Sequence, residues 1–289
     1  MFVVAILSRL PFTSTYLYHW DSVNMAFGIA QFDVLNGAPQ FPGYIVYIAL
    51  AQVLNVLFSD AQTTLVLLSI VGSSAAAVLL LGLGRDMFSL TTGLIAALFL
   101  VCSPLVWFYS EIALPHTLDM AWVLAVVWLL YRIMTGDTRW LWLTAALLAL
   151  LGGFRQQDLP FLLPLTLFAI WRTGIWRIMQ FGLVGLLFTL LWFVPLIHYS
   201  GGLQTYLTGS AAYSGSFFDS TSVLAGAGTA GLRRNLISKL IPYTLYGWGA
   251  AALPALYWFS VLPGHLRGWL TNRRTRFLAL WVTPALLFY

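Results

Sequence analysis

Apolar residues along this chain gather into runs at 1–13, 41–58, 62–83, 90–108, 117–134, 140–153, 159–171, 178–198, 237–262 and 277–289, with short polar stretches between them. Runs such as Thr63–Leu83, Leu90–Phe108 and Met179–Ile197 approach or reach the roughly 20 apolar residues a helix needs to cross a bilayer. The pattern predicts an all-α fold, a polytopic transmembrane helical bundle forming one domain over 1–289. About nine runs are expected to cross at that length, with 41–58 open to a second reading as a helix lying in the interface.

Composition sharpens the class. Hydrophobic residues make up 60% of the 289 and charged residues 8%, with a mean hydropathy of +0.86. A soluble domain carries about 25% charged residues, so most of this surface is not in water. The net charge of +5 is not a nucleic-acid signal, because the arginines stand singly or in small groups between apolar runs. The lone Cys102 rules out an intrachain disulfide. Met1–Leu7 lacks the basic start of a cleavable signal. Both ends read as cut: too few apolar residues precede Arg9 for a span, and the chain stops inside the run 277–289.

The basic residues set an orientation. Arg85, Arg132, Arg139, Arg172, Arg177, Arg267, Arg273, Arg274 and Arg276 fall in alternate connections, whereas the others hold Arg9, Arg155, Arg233, Arg234 and Lys239. The larger set is expected in the cytoplasm. Residues 109–116, 154–158 and a long loop at 199–236 then face outward. Residues 14–60 join them as a first external loop only if 41–58 does not cross. Pro39, Pro42 and Gly43 at its start, with Tyr44 and Tyr47 after them, suit an interfacial helix.

On that orientation the acids are one-sided. Asp21, Asp33, Asp60, Glu111, Asp158 and Asp219 face outward with His19, His116, His198 and Arg155, and Asp119 lies one turn inside the next span. Only Asp86 and Asp137 fall in cytoplasmic loops. Ionisable groups at membrane depth are costly and tend to mark function, so any chemistry belongs outside. In "WFYSEIALPHTLDMAW" Glu111, His116 and Asp119 share one membrane boundary, and a turn with a capping acid is the plain alternative. In "GGFRQQDLP" Gly152 and Gly153 are expected to free the backbone. Arg155 reads either as a surface partner of Asp158 or as a fork for a phosphate group. "GAGTAG" at 226–231 fits the dinucleotide fingerprint literally, but no strand precedes it, so it reads as a flexible loop.

In order and spacing, "LSRLPF…HWDSVNMAFGIAQFDV…PQFPGYIVYIAL", "CSPLVWFYSE" and "GGFRQQD" resemble the GT-C superfamily of integral membrane glycosyltransferases. The nearest likeness is to the family of protein O-mannosyltransferases and the lipid A aminoarabinose transferase. It runs from about residue 7 to 165 and more weakly through "SGGLQTYL" at 200–207. The resemblance implies an active site on the outer face, with 41–58 juxtamembrane and Asp21 matching the family's catalytic base. Two departures stand out: Ser22 follows Asp21 where many relatives have an acidic pair, and Gln40-Phe41 replaces the His-Pro of "PHPPG".

The reaction so implied moves a sugar, with inversion, from a polyprenyl-phosphate donor to an acceptor hydroxyl or amine on a lipid, glycan or protein. Asp21 would take the acceptor's proton. Arg155 would meet the leaving phosphate, with Arg233 and Arg234 as further candidates. Glu111, His116, Asp33 and His19 are candidate substrate contacts. A divalent metal is left open, membrane lipids are expected partners and nucleic acid is not. The expected location is a bacterial or archaeal plasma membrane. The alternative is a transporter or flippase of a lipid-linked or small polar substrate, against which stand the missing internal repeat and the placement of polar residues at helix ends.

Overall fold

A computed structural model describes residues 1–221, 233–234, 237–238, 241–249 and 272–288. Among these the chain is helical, with one isolated antiparallel bridge between Asp33 and Ala38. The helices are α1 (Phe2–Arg9), α2 (Trp20–Ala30), α3 (Ile45–Phe58), α4 (Ala61–Met87), α5 (Leu90–Cys102), α6 (Pro104–Ser110), α7 (His116–Met134), α8 (Leu141–Phe154), α9 (Asp158–Ile170), α10 (Ile175–Tyr199), α11 (Leu203–Thr221), α12 (Ile241–Trp248) and α13 (Arg273–Phe288). Three of them, α4, α7 and α10, are long and apolar enough to cross a membrane alone. The α5–α6 pair makes a fourth if its bend belongs to one span. The remaining expected crossings correspond to shorter helices or to residues outside those described, as most of 237–262 is.

Local chemistry explains where the elements depart from the apolar runs. The run 90–108 is two helices bent by 62°. Pro104 has no N–H to continue the ladder, and Ser103 Oγ caps the new helix by accepting from Val106 N–H at 3.4 Å. The run 41–58 yields a 14-residue helix, about 21 Å long and short of the roughly 30 Å hydrocarbon core. Two expected loops contain helix. α2 starts inside the first, where His19 Nδ1 accepts from Asp21 N–H at 3.1 Å, and α11 fills much of the described part of the second.

The core centres on α4, which touches α1, α2, α3, α5, α6 and α7. Small residues bring its backbone close to its neighbours. A Cβ on Gly72 would stand 2.4 Å from Leu118 N of α7, and one on Gly84 would stand 2.7 Å from Gly93 Cα of α5. Polar side chains bridge the α4–α7 seam: Ser69 Oγ donates to Leu114 O at 2.8 Å, and Thr117 Oγ1 donates to Ser69 O at 2.7 Å. α8 is held on both sides by indoles, Trp122 Nε1 donating to Leu147 O at 2.9 Å and Trp192 Nε1 to Ala149 O at 2.8 Å. α10 leaves Met179, Leu183, Leu187, Leu191 and Val194 exposed, as a helix facing lipid does. Tyr47, expected at the interface, is instead fully buried with its ring edge-on to Phe154 at 5.1 Å.

Candidate functional site

Asp21 occupies the first turn of α2, where backbone N–H groups favour an anion. Its side chain is 37% exposed, and Oδ2 lies 3.7 Å from Nδ1 of the half-exposed His19. This carboxylate is wet on one side and backed by protein on the other, as a proton acceptor for an incoming hydroxyl needs to be.

The 155–158 turn shares a neighbour with it, since Tyr44 feels the charges of both Arg155 and Asp21. Gly152 and Gly153 are helical, so the pair does not free the turn as expected. Added Cβ atoms there would stand 2.6 Å from Leu159 and 2.5 Å from Val46, so the glycines let α8 close on its neighbours. Arg155 Nη1 donates to Asp119 Oδ2 at 3.3 Å across 36 positions, and Asp158, the partner offered by one of the two sequence readings, also feels the Arg155 charge. With the Gln157 amide turned to satisfy both groups, its oxygen accepts from Arg155 Nε and Nη2 at 2.6 Å. Asp158, at the rim ahead of the apolar part of α9, has its carboxyl pushed up by burial and then by the neighbouring Asp119. Asp119 and Asp158 meet as a carboxyl pair, with the proton that Asp158 keeps hydrogen-bonded between them. Two carboxyls this close do not readily ionise together.

Tyr44 joins the two groups. It adopts φ 43°, a left-handed conformation uncommon for an aromatic residue, directly after Gly43 at φ 104°. Strain of this kind persists only where the surroundings enforce it. Burial pushes the Tyr44 phenol up to about 12, with Arg155 opposing and Asp21, Tyr213 and Asp119 adding to the rise. Tyr44 is therefore a hydrogen-bond donor at neutral pH, within electrostatic reach of both the candidate base and the candidate phosphate-binding arginine. α11 lies above. Tyr206 Oη donates to Pro42 O at 3.0 Å and accepts from Gln156 Nε2 at 2.8 Å, and Phe41 packs on Tyr206 and Tyr213.

The other expected residues divide. His116 begins α7, ring edge-on to Tyr109 at 5.0 Å and within electrostatic reach of Arg155 and His19. Glu111 lies with Arg9, whose buried guanidinium stacks 4.3 Å from Trp107; burial pushes the Glu111 carboxyl up, with Arg9 opposing. Asp33 is held by its own turn, its oxygens accepting from Asn36 N–H at 3.2 Å and Nδ2 at 2.7 Å. Arg233 and Arg234 are exposed. Asp219's side chain and Lys239 lie outside what is described. Among the described residues no three His, Cys, Asp or Glu side chains come together to hold a metal ion. Asp119 and Tyr44 are the site residues that sequence reasoning missed. The signals were present, an acid one turn inside a span and a tyrosine after Pro-Gly, but they were read as boundary features.

Residues 42–199 match the model of the dolichyl-phosphate-mannose-protein mannosyltransferase family. The chain belongs to that family. It is therefore a GT-C membrane glycosyltransferase of the class that uses polyprenyl-phosphate sugars. The family stretch contains Tyr44, Glu111, His116, Asp119, Arg155 and Asp158, and begins after Asp21. No curated protein and no solved structure gave a match.

Proposed function

We propose that this mannosyltransferase-family chain transfers a hexosyl unit, with inversion, from a polyprenyl-phosphate donor to an acceptor hydroxyl at the extracytoplasmic face. Asp21 is its base. The observation that carries this reading is convergence: Asp21 of α2, Tyr44 before α3, His116 and Asp119 of α7, and Arg155 after α8 are brought together at one end of the bundle. The carboxylate, cation and phenol donor match the needs of the reaction.

The acceptor oxygen attacks the anomeric carbon opposite the phosphate. The O–H proton passes to the Asp21 carboxylate as the new C–O bond forms. The anomeric C–O bond to phosphate breaks, and the leaving polyprenyl phosphate keeps the electron pair. Arg155 supplies positive charge where that negative charge grows, and Tyr44 donates a hydrogen bond toward it. Asp119 and Gln157 orient the guanidinium. The family description makes mannose and a protein hydroxyl the first pair to assay.

Membranes carrying the chain are to be incubated with radiolabelled mannosyl polyprenyl phosphate and acceptor. Asp21→Asn keeps the shape of the side chain and removes the base, so transfer should fall by about 10²–10⁴-fold with expression unchanged. Full transfer by Asp21→Asn would remove Asp21 as the base. Movement of donor across the membrane without release of polyprenyl phosphate would favour the transporter alternative.

A further inference from the structure

At the other end of α9, some 13 residues and about 20 Å from Asp158, lies a cavity of about 490 Å³. Leu167, Phe168, Trp171 and Arg172 line it from α9 and the turn after it, and Arg273 and Arg276 line it from α13. α13 is anchored against the bundle by Phe277, which is fully buried with its ring edge-on to Tyr131 at 5.5 Å. Arg273 and Arg276 are therefore one helical turn apart on a fixed element.

No lining residue among those described is acidic. The two acids on the side to which the arginine count assigns this end are engaged elsewhere. Asp86 pairs with Arg85 at 3.0 Å and accepts from Trp128 Nε1 at 2.9 Å. Asp137 pairs with Arg139 at 3.0 Å and Arg132 at 3.6 Å. Three guanidinium groups around one cavity suit an anion with several oxygens, which the arginine fork matches. The rest of the lining is apolar. Trp171 and the nearby Trp176 are 76% and 74% exposed, as interfacial tryptophans are. An anion with a hydrocarbon tail at interface depth fits both halves of this lining.

We propose that the cavity holds the phosphate headgroup of an anionic phospholipid, its acyl chain lying on Leu167 and Phe168. This site is separate from the sugar-transfer site and does not depend on the reading of Asp21. Bound there, the lipid ties α9 to α13.

The test uses the full chain in detergent washed free of lipid, followed by Tm. Phosphatidylglycerol should raise Tm in a concentration-dependent way, as a ligand of the folded state does, whereas phosphatidylcholine should not. The shift should vanish in R172Q/R273Q/R276Q and persist in R85Q/R139Q, which removes charge from the same side away from the cavity. Should the triple variant fail to fold, R172Q alone must reduce the shift by about half or more. An equal shift with glycerol phosphate would make the ligand a free phosphate and overturn the lipid assignment. No shift in the wild type, equal loss in R85Q/R139Q, or an unaltered shift in R172Q would each overturn the proposal.

Discussion

The α4–α7 seam and the site end of the same helix pair treat buried polar groups in opposite ways. In the seam, Ser69 and Thr117 reach across to carbonyls of the neighbouring segment. Ser74, whose hydroxyl has no partner among the described residues, is the exception. At the site end Asp119 and Asp158 share one proton between them, and one buried oxygen of Glu111 has no donor among the described residues. A buried polar atom without a partner costs about 1–3 kcal/mol, and more when charged. A bundle that closes its seam with neutral donors yet gathers three carboxyl groups and a guanidinium at one end has kept that end for something besides packing.

That contrast can be broken by substitution, beginning with the largest effect. Asp119→Ala removes the carboxylate that Arg155 Nη1 meets at 3.3 Å, and losing one partner of a buried pair costs about 3–5 kcal/mol. A thermal melt in detergent should drop accordingly and sugar transfer should vanish; an unchanged melt would mean that water or Asp158 holds Arg155 equally well. Gly72→Ala follows, because its Cβ would stand 2.4 Å from the Leu118 backbone. A cost of about 1–3 kcal/mol is expected from overpacking, with transfer per folded molecule kept. Lost transfer at an intact melting temperature would blur the division between seam and site.

Smaller effects sharpen it. Ser69→Ala removes the bond to Leu114 O and should cost about 1 kcal/mol with activity unaltered. Asp158→Asn tests the open end through pH. Burial and Asp119 raise the Asp158 carboxyl, so the folded state holds a proton that the unfolded chain releases near pH 4. Stability from this group is therefore full below about pH 4 and falls as pH climbs toward the raised value. The asparagine variant should flatten that decline between pH 5 and pH 8 in thermal melts, and an unchanged slope would clear Asp158 of the effect.

Much of the framework could be read from the sequence. The runs 62–83, 117–134 and 178–198 become α4, α7 and α10, because an apolar stretch of that length has few alternatives in a bilayer. Hydrophobicity alone did not reveal the bend at Pro104, since a break in backbone donors leaves the side chains as apolar as before. α2 and α11 were hidden for the opposite reason: their mixed composition reads as loop, and packing makes them helices, α2 against α3 and α4 and α11 over Phe41 and Pro42. Within the site, Asp21 and Arg155 stood out as acid and base at a boundary. The link between Arg155 and Asp119 did not, because it joins positions 36 apart and only the approach of α8 to α7 creates it.

The hydroxyl of Tyr206 connects the carbonyl of Pro42 to the amide of Gln156. The family stretch ends at 199, ahead of the helix that carries this tyrosine. What is inherited as a recognisable unit is thus smaller than what must fold as one. A chain cut after Tyr199 would retain every residue of the shared pattern and lose the group that pins two of its turns together. Grafts and truncations drawn at the borders of the family would be expected to fail here first, and extending them through α11 would be the remedy.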